Sequence, residues 1–319
     1  MTLQWEILLK DESPFPRLLF FSDLNDDRFR YGVNNNLQCC LYFHLNPSRV
    51  NVPIESVIKQ NLSLEEKTEK GKQVLVLTLL NDYARNQFSD LILSIVSQAR
   101  KFDRAVAKSG FITLCNEWFE LFEPLATQLS KNDLQGIFAE LTFLKNLLTH
   151  SRLPINDILS SWKGPYGKGH DFELDDHHYE IKGISEFKTS VTISSEFQLD
   201  FLDGQYLFLV VIEFANEAVN QITLTELVGE ITTILRANTG TNMNLFWMAL
   251  QKTGINYISL RDLDQHRFAV KNTTWYDCTD PEFPALKRSK IQDAIRSVKY
   301  ELALNNLQVH EIENITPFI

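Results

Sequence analysis

The segment His170-Asp171-Phe172-Glu173-Leu174-Asp175-Asp176-His177-His178-Tyr179-Glu180-Ile181-Lys182-Gly183 alternates polar and apolar side chains on both sides of a short polar turn. That pattern predicts a tight β-hairpin. With residues 175–178 as the turn, Asp171 faces Lys182 and Glu173 faces Glu180. Opposed residues share a face, so Asp171, Glu173, Glu180 and Lys182 are expected on one side. Phe172, Leu174, Tyr179 and Ile181 then cover the other.

Phosphodiester hydrolysis asks for such a set. Carboxylates hold a hard divalent cation through oxygen, and a lysine orients water or offsets charge on the pentacoordinate phosphorus. Asp171 and Glu180 are the expected metal ligands, with the Ile181 carbonyl as a further oxygen and Lys182 within reach of the scissile phosphate. Mg²⁺ is the expected ion, with Mn²⁺ as a substitute. Without a cation the adjacent acids repel one another and at least one pKa rises. Glu-x-Lys also occurs at Glu65 and Lys67 and at Glu186 and Lys188, so the triplet alone is a weak signal. The Glu180 copy stands apart because it alternates with bulky apolar residues, follows an aspartate across a turn and comes after a long amphipathic pattern.

That pattern covers residues 134–148 and predicts a helix ending near Pro154. Glu140 lies on its apolar stripe beside Gly136, Ile137, Phe143 and Leu144, where a carboxylate needs a partner. Earlier, helical spacing recurs at Phe88, Leu91, Ile92, Ile95 and Val96 and over 111–122. The start of the chain alternates apolar runs at 18–21, 29–33 and 37–43 with Asn/Asp turns, and 74–80 closes a small antiparallel meander. After the loop Trp162-Lys163-Gly164-Pro165-Tyr166-Gly167-Lys168-Gly169, strands are expected at 172–174, 179–184, 191–193 and 206–214, then helices at 223–235 and 244–250. Helix, strands and helix in this order indicate an α/β core. The shift in composition divides the chain into residues 1–125, for target or partner contacts, and 126–319.

The whole chain has 319 residues, 44% hydrophobic and 23% charged, which excludes disordered and collagen-like classes. Its apolar runs are too short to span a bilayer and its start lacks signal-peptide regions, so a cytoplasmic location without membrane contact is expected. Cys39, Cys40, Cys115 and Cys278 show neither zinc spacing nor a disulfide framework and read as reduced core residues. A net charge of −10 has the wrong sign for holding DNA by the global field, so nucleic-acid contact must be local or shared with other chains. Locally, Lys287, Arg288, Lys290, Arg296 and Lys299 oppose the single acid Asp293, either as a phosphate-contacting patch or as a solvated helix face. Lys163 and Lys168 precede Asp171 where a DNA backbone would pass. His170, His177 and His178 read as solvated loop and turn residues rather than zinc ligands, with His170 also a phosphate contact.

With His170-Asp171 in place of Pro-Asp, the Asp171, Glu180 and Lys182 set resembles the PD-(D/E)XK nuclease superfamily. The chain also resembles a narrower bacterial family, the "PD-(D/E)XK motif proteins", which sit in restriction and phage-defence gene clusters. The likeness rests on Gly136-Ile137-Phe138-Ala139-Glu140-Leu141, Trp162-Lys163-Gly164-Pro165, His170-Asp171-Phe172-Glu173 and Tyr179-Glu180-Ile181-Lys182. It continues through Ile193-Ser194-Ser195-Glu196-Phe197-Gln198-Leu199-Asp200, Phe283-Pro284-Ala285-Leu286 and Val298-Lys299-Tyr300-Glu301-Leu302.

The resemblance implies a restriction-endonuclease-like α/β core, a mixed central sheet flanked by helices, behind an N-terminal β-rich domain. It implies Glu140 as a further metal ligand, against a plain residue at the stripe's edge. It also gives Gln198 a supporting catalytic role, against a place in the first turn of a helix capped by Ser194 or Ser195. The expected activity is Mg²⁺-dependent cleavage of double-stranded DNA by the nuclease subunit of a restriction or phage-defence system. An ATPase or helicase, a DNA methyltransferase or a second copy of the chain would be its partners. The alternative is a non-catalytic adaptor, or a modified-DNA-sensing subunit, that keeps the nuclease fold.

Overall fold

The turn-punctuated runs at the start of the chain become an antiparallel sheet larger than the expected meander. The structure is a computed structural model and describes residues 3–22, 26–45, 53–69, 71–103, 106–123, 129–167, 169–216, 219–238, 240–255, 258 and 260–312. After α1 (Trp5–Lys10) come β1 (Arg17–Phe20), β2 (Phe29–Val33), β3 (Cys39–His44), β4 (Val57–Ile58), β5 (Leu62–Glu69) and β6 (Lys72–Leu79), in the spatial order β1-β2-β3-β6-β5-β4. β6 therefore does not close the sheet. β5 extends it, and its polar Glu65-Glu66-Lys67-Thr68-Glu69 end hid it from an apolar-run reading. Helices α2 (Arg85–Ala99) and α3 (Ala107–Leu121) follow, and Phe111 of α3 stacks on Phe43 with ring centroids 4.7 Å apart.

The chain divides into two compact units, one of Met1–Leu125 with Asn242–Trp247 and Asn256–Ile258, the other of Ala126–Thr241, Met248–Ile255 and Ser259–Ile319. In the second unit, α4 (Lys131–His150) starts at a reciprocal cap. Ser130 Oγ accepts the Asp133 amide at 3.2 Å, and Asp133 Oδ2 accepts the Ser130 amide at 2.9 Å. Beyond it lie α5 (Ile155–Ser161), β7 (Phe172–Leu174), β8 (His177–Ser185), β9 (Ser190–Ile193), β10 (Tyr206–Phe214), β11 (Ile222–Thr223) and α6 (Leu224–Ala237). α7 (Met243–Lys252), whose residues up to Trp247 are counted with the first unit, is followed in the second by β12 (Arg267–Phe268), β13 (Val270–Asp277) and β14 (Tyr300–Ala303).

The central sheet is mixed, in the order β13-β10-β8-β7, with β8 and β10 parallel and the other pairs antiparallel. α4 packs on one face, where Phe143 meets Phe172, Tyr179 and Trp275 at centroid distances of 4.8, 5.1 and 5.5 Å. Gly183 permits this closeness, because a Cβ there would lie 2.8 Å from the Gln135 carbonyl oxygen of α4. The opposite face carries Ile184, Leu209 and Val211 against Val191, Ile193 and Leu302 of the β9–β14 pair. This is the α/β architecture expected, an N-terminal β-rich region followed by a mixed sheet packed against helices.

Three local expectations need correction. The hairpin turn is Asp175-Asp176 alone, with Asp175 in the left-handed region at φ 52°, so the register differs by two residues. Phe172 faces Tyr179 and Glu173 faces His178, not Glu180. A shift of two keeps every side chain on its face but changes its neighbours. Residues 195–199 form turns rather than a capped helix, and the basic segment 287–299 holds only the short 3₁₀ turn Arg288–Lys290. All four cysteines are buried and unbridged.

Candidate active site at the sheet edge

Asp171 sits one residue before the start of β7, and beyond Tyr179 β8 runs on without a strand partner on that side among the described residues. Its side chain takes the place of the missing strand, accepting the Ile181 amide on Oδ2 at 2.7 Å. In extended backbone the N–H and C=O of one residue point the same way, so the Ile181 carbonyl looks toward Asp171 as well. The main chain of Asp171 is fixed from outside. Its carbonyl accepts the amides of Lys163 and Gly164 at 2.8 and 3.0 Å, and Trp162 bridges to Phe172.

Glu140 comes to the same place from α4. Trp162 Nε1 donates to its Oε2 at 2.7 Å, which answers the stripe glutamate's need for a partner. A Cβ built on Gly164 would lie 2.7 Å from Asp171 Oδ1 and 2.7 Å from Glu140 Oε2, so the two carboxylates converge on one point above that glycine. From the other side of the sheet edge come Glu180 and Lys182. Lys182 Nζ lies 2.7 Å from Glu180 Oε1, with the glutamate side chain only 2% exposed.

Electrostatics report the crowding. Burial first, and then the charge of Asp171, pushes Glu140 up to about 8, against hydrogen bonding from Trp162. Burial and the charge of Glu180 push Asp171 up to about 8, against Lys182 and the Ile181 amide. Glu180 is raised mainly by burial, while Lys182 is held above its ordinary value because three carboxylates outweigh its desolvation. One lysine faces three acids. The oxygens of Asp171 and Glu140 that meet above Gly164, with surplus negative charge around them, suit a hard divalent cation, whereas Glu180 does not close with both to within 4.8 Å as a set of three.

The remaining predicted residues are dispersed. Gln198 Oε1 accepts the Ser194 amide at 2.6 Å and shapes its own turn. Glu173 keeps its expected face but lies opposite His178 and beside His170, rather than opposite Glu180. His170 is buried with both ring nitrogens engaged, by His178 Nδ1 at 3.0 Å and the Asp200 carbonyl at 2.9 Å, and so offers none to a phosphate. His178 is buried too, while His177 stacks on Tyr206; neither His170 nor His178 is the solvated residue that its polar surroundings suggested. Lys163 is half-buried at the edge of the site, and Lys168 lies outside the described residues.

In the basic segment, Lys287 Nζ sits 3.7 Å over the Phe201 ring. Arg288 donates to the Ile295 carbonyl at 2.7 Å and lies 3.6 Å from buried Glu196, whereas Lys290 is exposed. The two other Glu-x-Lys triplets are surface pairings. Lys67 meets Glu65 at 3.0 Å in β5, and Glu186 meets Lys271 at 2.9 Å. Trp162 and Gly164, which join Glu140 to Asp171, were not singled out from sequence as parts of a site. Their signal was the Trp-Lys-Gly-Pro block itself, placed just ahead of the aspartate.

A family model described as "Putative PD-(D/E)XK family member, (DUF4420)" matches residues 4–305, nearly the whole chain. No curated protein and no solved structure matches it.

Proposed function

Because the chain belongs to this PD-(D/E)XK family, we propose that it is a divalent-cation-dependent nuclease that hydrolyses phosphodiester bonds of double-stranded DNA. The observation that carries the reading is the convergence of Glu140 and Asp171 on one point beside the Glu180–Lys182 pair. Glu140, Asp171 and Glu180 would hold Mg²⁺ or Mn²⁺, with the Ile181 carbonyl on the same edge. When bound, the ion supplies Lewis-acid stabilisation of phosphate charge and acidifies a coordinated water. Lys182, kept cationic by the surrounding acids, orients the attacking water and offsets charge on the phosphorus. Trp162 and the Lys163 and Gly164 amides position the carboxylates.

With a net charge of −10, most DNA affinity is assigned to partner subunits of a bacterial restriction or phage-defence system, an ATP-driven motor or a methyltransferase, or to a second copy of the chain. The test is incubation of the purified protein with supercoiled and with modified phage DNA in Mg²⁺, then Mn²⁺, beside Glu180→Ala. Cleavage by the parent and not by the variant supports the enzyme and its centre together. Equal cleavage by both removes the proposed centre. In cells carrying the neighbouring genes, defence that survives Lys182→Ala would favour a non-catalytic adaptor instead.

A further inference from the structure

A second cluster of chemistry-bearing side chains lies beside the carboxylate centre and takes no part in it. His170, Glu173 and His178 each bring one potential ligand atom to within 4.8 Å of the others. His170 and His178 are both 6% exposed, an unusual degree of burial for two imidazoles facing each other. His170 Nε2 lies 2.9 Å from the Asp200 carbonyl oxygen. A carbonyl only accepts, so Nε2 carries the ring proton and Nδ1 keeps its lone pair. That nitrogen lies 3.0 Å from His178 Nδ1.

We propose that His170, Glu173 and His178 form a two-histidine, one-carboxylate site for a borderline transition cation of the Zn²⁺ class. Nitrogen with carboxylate suits such an ion, as the oxygen-only set around Asp171 suits Mg²⁺. The Nδ1 to Nδ1 separation of 3.0 Å is close to that of two adjacent ligands each bonded at ~2.0–2.1 Å. The hydrogen bond from His170 Nε2 to a backbone carbonyl is the outer-shell contact that fixes the tautomer of a ligating histidine. The backbone makes room for the carboxylate too. Gly169 has φ +65°, and a Cβ there would overlap Glu173 Oε1. A cleft of ≈ 380 Å³ opens over the three residues between Phe197, Leu202 and Gln205, leaving a side for water or a further ligand.

The ion would clamp β7 to β8 and to His170, whose hydrogen bond ties the hairpin to the Asp200 loop, and the Asp200 carboxylate in turn accepts the amides of Phe201 and Arg288 at 3.1 and 3.3 Å. Because Asp171 follows His170 directly, this staple sets where Asp171 leaves the strand. It is a positioning site, separate from the reacting atoms. Without an ion, the same contact is an N–H···N hydrogen bond donated by His178, which the following experiment distinguishes.

The full-length parent is titrated with Co²⁺, read by its visible d–d absorption and by competition with Zn²⁺, beside His178→Phe, Glu173→Gln and Glu180→Ala. Expected are one equivalent of Co²⁺ displaced by Zn²⁺ and retention of that site in Glu180→Ala. His178→Phe should lose affinity by more than the ~10–100-fold that follows loss of an outer-shell partner. Glu173→Gln, at a half-buried position, carries the comparison if circular dichroism shows that His178→Phe does not fold. No uptake of Co²⁺ or Zn²⁺ by the parent overturns the site, as does uptake unchanged in the folded variants of His178 and Glu173. Loss of uptake in Glu180→Ala would assign the ion to the carboxylate centre and overturn it equally.

Discussion

Trp162 Nε1 donates to Glu140 Oε2 across 2.7 Å, and the two residues after Trp162 hold the Asp171 carbonyl through their amides. One short loop thus joins the helix-borne acid to the sheet-borne acid. Trp162→Phe keeps the aromatic bulk and removes the donor, and a hydrogen bond to a charged group is worth ~1.5–3 kcal/mol. Glu140 then rises further above its present value of about 8. The alkaline-going limb of the cleavage pH profile should move up by roughly 1–2 pH units. An unmoved limb would separate Glu140 ionisation from turnover.

Gly164→Ala places a methyl group 2.7 Å from both Asp171 Oδ1 and Glu140 Oε2. The atoms it meets are ends of side chains, so the fold can adjust while the carboxylates separate. Cleavage is expected to fall at least about tenfold, the equivalent of ~1.4 kcal/mol, with a higher Mg²⁺ requirement and a Tm close to the parent's. A large Tm loss with an unchanged Mg²⁺ requirement would make the residue structural only.

The cation-free protein should lose stability as pH rises. Asp171 and Glu140 have folded-state values near 8 against ordinary values of 3.8 and 4.5, so between those limits the folded state binds more protons than the unfolded one. Stability is then highest at the acid end of the window and falls toward pH 8. Denaturant midpoints measured from pH 5 to 8 in chelator should show that slope, and Asp171→Asn should flatten it. Added Mg²⁺ should reduce the slope by favouring the ionised carboxylates.

Lys182→Met leaves Glu180, 2% exposed, without its partner. Removing one member of a buried pair costs up to ~3–5 kcal/mol, and protonation of the survivor lowers that cost. The variant should therefore be destabilised more at pH 8 than at pH 6, and Glu180→Gln in the same chain should restore most of the loss. A penalty independent of pH would place its origin in packing.

The basic segment separates by exposure. Arg288→Ala removes the donor to the Ile295 carbonyl and the cation nearest buried Glu196, so Tm should fall. Exposed Lys290→Ala should leave Tm unchanged and, if it meets phosphate, reduce the salt slope of DNA binding by about one. Titrations at several salt concentrations decide between the two roles.

Periodicity made much of this fold legible. The sequence alone placed α4, the β7–β8 hairpin and β10, because each has an apolar pattern matched to its own repeat and a turn or cap at its ends. It missed β5, whose second half is polar, and β13, whose Val270-Lys271-Asn272-Thr273-Thr274 start is largely exposed. Neither strand announces itself without the neighbour it pairs with. For the site, alternation along β8 placed Glu180 and Lys182 on one face, since side-chain parity survives a register shift of two.

Tertiary structure decided what parity leaves open. A two-residue turn moved Glu173 away from Glu180 and against His170 and His178, turning three residues of unremarkable polarity into a buried cluster. The end of β7 left the Ile181 amide for the Asp171 side chain, and Trp162 brought Glu140 around the sheet edge. Local sequence determined which residues were candidates, because side-chain direction follows from the backbone repeat. Which candidates share a point in space depended on where strands stop and which loops fold back over their ends, and those are set by contacts distant along the chain.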